Sequence, residues 1–330
     1  MLTSALAFLE RCWTSKGYAL RDLRRGALET CGDLRDSTPY SNAAILWVLA
    51  TAGGERDSTQ VKAARTYVEE FATRVAAGDK NEYAGTQVVS HSLRALLATG
   101  TKPSSPVVQG LVKRLVKGQR NGLWPGDLDD LKEPPSAFEA LFAAEALRSV
   151  RLAGGKVPGE VWQKLLAASS GALEKRDLVK KKGWVSGTDI VSAAALAVIA
   201  KEGTLGAKAT SFDYRSLPQV KSGLAWMDRR FAVETEPIFV DGARLVHGSD
   251  AGQSSWLFAV QRLSMLLSIQ NVGGADWHAA GIRALMPVQY KDGSFEERSP
   301  DALNGPVRTT LACILFLIRA TPAVTDSNDE

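Results

Sequence analysis

The stretch "DLDD", Asp127 to Asp130, crowds three carboxylates into four residues. Like charges this close repel one another, an arrangement that favours one carboxyl keeping its proton and serving as a general acid. The segment "LKEPP" separates these acids from Ser136, and Pro134 and Pro135 oppose a helix beginning any earlier. Asp127, Asp129 and Asp130 therefore read as loop acids ahead of a helix N-terminus, a position that the helix dipole also favours.

A second set of candidates consists of polar and aromatic residues set into otherwise apolar stretches: Asn42, Trp47, Gln87, His91, Glu139, Asp189, Trp256, Gln261 and Arg308. Polar side chains in such surroundings need partners or water. Gathered at one end of a helical assembly, they would line a wet funnel, and a concave site with a few polar groups is the usual place for a ligand.

Other chemistries lack their residues. Cys12, Cys31 and Cys313 form no CxxC pair, and His91, His247 and His278 stand far apart in sequence, so neither a zinc site nor a disulfide framework is indicated. There is no Gly-rich phosphate loop followed by Lys-Ser or Lys-Thr, and no Gly-x-Ser-x-Gly elbow. No metal or other cofactor is expected. The net charge of +4 is small for 330 residues and its basic residues are mixed with acidic ones, which gives a nucleic acid no footprint. Lys180, Lys181 and Lys182 form the one basic run, read as a solvated helix end. No stretch reaches the roughly 18 continuous apolar residues of a membrane span, and a cytoplasmic location is expected.

The elements that must position these residues are helices. Apolar residues recur at helical spacing nearly throughout, without the alternation of strands. Six segments are apolar almost all round, as only a surrounded helix can be. They are "SNAAILWVLATAG" from Ser41, "TQVVSHSLRALLATG" from Thr86, "SAFEALFAAEALRSV" from Ser136, "TDIVSAAALAVIA" from Thr188, "SSWLFAVQRLSMLLSI" from Ser254 and "VRTTLACILFLIRAT" from Val307. Five open on Ser or Thr, as N-caps do. They recur every 45 to 66 residues or so, near the range that marks a repeat architecture. Six amphipathic segments alternate with them, beginning with "LTSALAFLERCW" and ending with "ADWHAAGIRALMPVQ". An apolar set wrapped by an amphipathic set makes two concentric layers: an all-α protein, an α6/α6 toroid. One toroid over residues 1–320 is expected, with residues 321–330, the tail "TPAVTDSNDE", frayed.

The turns between the two kinds of helix share a form: "GQRNGLWPGD" at Gly118, "KKKGWVSGTD" at Lys180, "QYKDGSFEER" at Gln289 and a weaker "DKNEYAGTQ" at Asp79. This form resembles the repeat of the squalene-cyclase and protein-prenyltransferase family, in which Gln, Asp-Gly and an aromatic close each outer helix. The last repeat, from Gly281, is the nearest to that pattern, and "VKSGLAWMDRRF" resembles the preceding outer helix of bacterial members. The resemblance implies a terpenoid cyclase-like toroid. It also implies a role for the acidic run, since class II terpene cyclases carry Asp-x-Asp-Asp at an inner-helix entrance, with the middle Asp as proton donor; here that would be Asp129, set by Asp127 and Asp130. The zinc ligands of the prenyltransferase branch have no counterpart in this chain. Two functions follow as expectations. The first is a non-catalytic module that uses its central funnel to hold a protein segment or an apolar, isoprenoid-like ligand. The second is a cyclase that acts on an isoprenoid substrate through the acidic run.

Overall fold

A computed structural model of the chain describes residues 1–14, 17–18, 34–52, 58–79, 82, 84–174, 184–233, 238–240, 243–244, 253–295 and 306–319. Cys31, Lys180, Lys181, Lys182, His247, the tail from 321 and the side chain of Arg308 lie outside the described residues. The helices are, in chain order, Leu2–Arg11 (α1), Leu34–Thr51 (α2), Thr59–Ala77 (α3), Thr86–Ala98 (α4), Pro106–Gly118 (α5), Ala137–Leu152 (α6), Gly159–Glu174 (α7), Gly187–Leu205 (α8), Pro218–Arg230 (α9), Gln253–Leu266 (α10), Trp277–Leu285 (α11) and Pro306–Leu317 (α12).

The even-numbered helices are the apolar ones, and they pack in a closed ring. Each touches the next, from α2 to α4, α6, α8, α10 and α12, and α12 returns to α2. The odd-numbered helices lie outside, each with one apolar stripe on the ring; in α5, for example, Val108, Leu111, Val112 and Leu115 are buried. The fold is the expected α6/α6 toroid. Alanine makes the inner ring possible: α8 buries Ala193, Ala194, Ala195, Ala197 and Ala200, small side chains that let helices approach on every side.

The helix starts differ in detail from the expected caps. Ser136 does cap α6, its Oγ accepting from the Glu139 N–H at 3.0 Å. By contrast, α8 is capped by Ser186 rather than Thr188, and α4 follows Gly85, leaving Thr86 Oγ1 to donate to the Pro125 carbonyl at 2.5 Å. Helix α2 begins at Leu34, well before Ser41, and carries Pro39 inside it. The chain also forms short antiparallel ribbons that apolar periodicity does not reveal. Trp13–Thr14 (β1) pairs with Gly17–Tyr18 (β2). Trp184–Ser186 (β3), Ile238–Val240 (β4) and Ala243–Arg244 (β5) form a three-stranded sheet, and Asn271–Val272 (β6) pairs with Ala275–Asp276 (β7). Strands of two or three residues are too short to show alternation, which needs a longer run.

Two of the Gly-aromatic turns dock in the same way. Gln119 Nε2 donates to the Gly122 carbonyl and to the Val161 carbonyl in the first turn of α7, both at 3.1 Å. Gln289 Nε2 donates to the Gly293 carbonyl at 3.0 Å and to the Met1 carbonyl at 2.9 Å, at the start of α1. Both glycines have positive φ, +87° and +90°, and a Cβ on either would strike the backbone of the next outer helix, at Lys164 and Ser4 respectively. The aromatics that follow, Trp124 and Phe295, are fully buried. Each clasp thus closes its own turn and fastens one outer helix to the next.

Candidate functional site

The inner ring encloses a pocket at the N-terminal end of its helices. Its empty volume is about 530 Å³, counting the open mouth. Five inner helices each supply two residues four apart: Tyr40 and Ala44 from α2, Gln87 and His91 from α4, Phe138 and Phe142 from α6, Ser254 and Phe258 from α10, Leu311 and Leu315 from α12. That spacing is one helical turn, so each helix presents a single stripe to the axis.

Aromatic rings dominate the walls. His91 packs edge-on against Tyr40 and Phe142 at centroid distances of 5.2 and 5.4 Å, and Phe142 stacks on Phe258 at 4.9 Å. Phe138 meets Phe142 edge-to-face at 5.2 Å. The polar groups lie mostly near the mouth. Gln87 Nε2 donates to Glu139 Oε1 at 2.7 Å, linking the first turns of α4 and α6, and Ser254 and Ser255 face them from α10.

Below the pocket the stripes continue at the next position, seven residues on, and their character changes from aromatic to ionic. Trp47 stacks on His91 at 5.3 Å, and the Arg94 guanidinium lies 3.7 Å from the Trp47 ring centre. Arg94 Nη1 meets Glu145 Oε2 at 2.6 Å, while Arg262 Nε meets Glu145 Oε1 at 3.2 Å and its guanidinium covers the Phe258 ring at 4.2 Å. All three charged side chains are buried. Burial pulls both guanidinium groups below the usual arginine range, and the Glu145 carboxylate opposes that pull. Farther along, Glu202 of α8 is held by Arg148 at 2.5 Å and by Arg151 at 2.5 Å. Burial first and the Glu202 carboxylate second push the nearby Tyr214 hydroxyl up to about 12.

The acidic run lies at the same end of the toroid but on its outer side. Its strand-like bridge runs from Asp127 to Gly85, and Thr86 N–H donates to the Gly126 carbonyl at 2.8 Å. Asp127 Oδ1 accepts from Asp129 N–H and Asp130 Oδ1 from Lys132 N–H, each at 2.8 Å, the side-chain bonds of Asx turns. Asp129 pairs with Arg114 of the outer helix α5, and its side chain is 61% exposed. Asp130 is also exposed, and none of the three lines the pocket. An acid set against the cavity, as the motif implied, is not what the geometry provides: the intervening "LKEPP" segment leaves the run outside the ring and facing α5.

Of the residues expected around a funnel, Gln87 and His91 line the pocket, Glu139 bonds to Gln87, and Trp47 forms part of the layer below. Trp256, Gln261, Asn42 and Asp189 lie elsewhere, and the side chain of Arg308 is outside the described residues. Trp256 faces outward to α9, its Nε1 donating to the Ala232 carbonyl at 2.6 Å and its ring meeting Trp226. Gln261 Nε2 donates to the Leu315 carbonyl at 2.9 Å and ties α10 to α12. Asn42 is buried in α2 and Asp189 sits in the capped first turn of α8; neither lines the pocket. Sequence reasoning missed Tyr40, Phe138, Phe142, Phe258 and the ionic layer. Their helical spacing was the available signal, i, i+4, i+7 at 40, 44, 47, at 87, 91, 94 and at 138, 142, 145, and i, i+3, i+7 at 255, 258, 262. Among the described residues no group of three or more His, Cys, Asp or Glu could hold a metal ion, and no helix is long and apolar enough to cross a membrane.

No family model matches the chain, and no curated protein matches it. Solved structures do. The type II terpene cyclase MstE from Scytonema, without ligand, superposes with a TM-score of 0.56 at 16% identity, over 97% of this chain and 97% of that one. A variant of MstE in complex with geranylgeranyl dihydroxybenzoate, its substrate, gives a TM-score of 0.56 at 16% identity over 97% and 96%. Another, holding the product merosterolic acid A, gives 0.55 at 16% over 97% and 95%. These likenesses are of fold: the chain is built as a terpenoid cyclase-like α/α toroid over nearly its whole length.

Proposed function

We propose that this protein is a binding module that holds an apolar, isoprenoid-like chain in the central pocket without transforming it, residues 1–320 acting as one toroid. The observation that carries this reading is the pocket wall itself, in which five helices present paired, largely aromatic or aliphatic stripes to one axis. Burial of apolar ligand surface there is favourable at roughly 25 cal/mol per Å². A few polar groups near the mouth, Gln87 with Glu139 and Ser254 with Ser255, suit a ligand whose polar end stays near water. The ligand class is supported by MstE, which has the same fold and is solved with a geranylgeranyl-bearing substrate.

A second reading is favoured by the same neighbours, which are cyclases: acid-initiated cyclisation of an isoprenoid chain, with Asp129 as donor and Asp127 and Asp130 as its setting. The exposure of Asp129 and its pairing with Arg114 weigh against it, because a proton donor to an alkene must reach the substrate in a site closed to water.

One experiment separates the two. Equilibrium dialysis with geranylgeraniol measures binding, and gas chromatography of the recovered alcohol measures conversion. Binding with unchanged alcohol supports the module. New products that vanish in Asp129→Asn support the cyclase, and absence of binding removes the module.

A further inference from the structure

We infer that Arg94, Glu145 and Arg262 form an ionic floor that fixes how long a chain the pocket accepts. The inference rests on the proposed binding of an apolar chain and adds the residues that set its length. In the ring order α2, α4, α6, α8, α10, α12, the helix α10 stands opposite α4. The two oxygens of Glu145 meet Arg94 of α4 and Arg262 of α10, so one carboxylate joins three helices from both sides of the ring. Side chains that meet in this way lie across the axis of the inner ring. The aromatic wall rests directly on them, the Phe258 ring face against the Arg262 guanidinium and His91 stacked on Trp47, which carries Arg94.

The depth follows from helix geometry. Gln87, Phe138 and Ser255 mark the mouth, and the floor residues stand seven positions on along the same stripes. Seven residues of helix rise about 10 Å, of which the lined pocket takes the first four, about 6 Å, enough for roughly five carbon–carbon bonds of an extended chain before His91, Phe142 and Phe258 close it against the charges. Carbons beyond that length meet buried, paired charges whose separation leaves an uncompensated ion. They must therefore stay outside the mouth, where they add nothing to affinity.

The test uses geraniol, farnesol and geranylgeraniol as probes, with dissociation constants from equilibrium dialysis. For the wild-type protein, affinity should change less than threefold across the series, because all three alcohols place the same length of chain inside. In a variant with Arg94→Ala, Glu145→Ala and Arg262→Ala together, which strands no charge, geranylgeraniol should bind at least tenfold tighter than geraniol. A wild-type affinity that climbs tenfold or more from geraniol to geranylgeraniol overturns the floor, and this measurement stands even if the triple variant does not fold. A folded triple variant with the wild-type profile also overturns it. Failure of every alcohol to bind the wild-type protein overturns the proposed binding function, and the floor with it, which is a different result from either profile.

Discussion

Two acidic regions of this molecule have opposite physical situations. In the run from Asp127 to Asp130, Asp129 and Asp130 lie in solvent and Asp127 is half-buried; the run is wound into Asx turns, with Asp129 paired to an outer-helix arginine. Glu145 lies on the axis of the inner ring, 3% exposed, with a guanidinium on each oxygen. Charge in water costs little and does little, since screening reduces an exposed pair to a fraction of a kilocalorie. Charge inside the ring has been stripped of water, so each member depends on the others for compensation. The region that looks like chemistry in the sequence is thus the replaceable one, and the inconspicuous glutamate in an alanine-rich helix cannot be altered alone.

That contrast should be visible in stability. Glu145→Ala leaves two buried guanidinium groups without their shared partner and should cost about 3–5 kcal/mol. Replacing the triad together by Arg94→Met, Glu145→Leu and Arg262→Met should lie between no change and a few kcal/mol of gain. Urea unfolding of the two variants checks both values, and equal losses would break the comparison. Gly293→Ala comes next, at about 2–3 kcal/mol, because φ is +90° and the new Cβ meets the Ser4 carbonyl. Gln289→Ala should cost about 1 kcal/mol, read in the same assay. Asp129→Asn and Asp130→Asn should each fall within about 0.5 kcal/mol of the parent, as exposed loop acids do.

The smallest effect concerns pH. Burial, and then the Arg319 guanidinium bonded at Nδ1, hold His278 below its ordinary range. The unfolded chain therefore binds the proton more readily than the folded one. Stability from this residue is complete above about pH 6.5 and is lost as pH falls below that value toward the folded pKa. Unfolding free energies at pH 7.5 and 5.5 should show the decline, and His278→Asn should reduce it.

How much of this was legible in the sequence varied with length scale. The ring was, because a helix such as 187–205 that is apolar on every face has nowhere to lie except inside other helices. The clasps were also legible, since Gly293 and Gly122 occupy left-handed backbone that other residues enter only with strain. Helix ends were less so: Thr86, Thr188 and Ser41 are good capping residues whose neighbours Gly85, Ser186 and Leu34 mark the actual starts. The pocket was half legible. Polarity picks out Gln87 and His91, but Phe138, Phe142 and Phe258 are ordinary core residues until the ring direction is known. Glu145 and Arg262 are separated by more than a hundred residues, and no local pattern announces that they meet.

The clasp at Gln289 joins positions 288 residues apart, from the last repeat to the first. A linear array of repeats can melt inward from either end, each unit leaving its neighbours intact. Here the array bites its own tail, so losing either terminal unit also opens the seam that secures the other. Bringing ends so distant together costs about 5 kcal/mol of chain entropy, beyond a constant. The ring should therefore zip up from its middle and seal last at Met1, and a permuted chain cut at another outer turn should seal there instead.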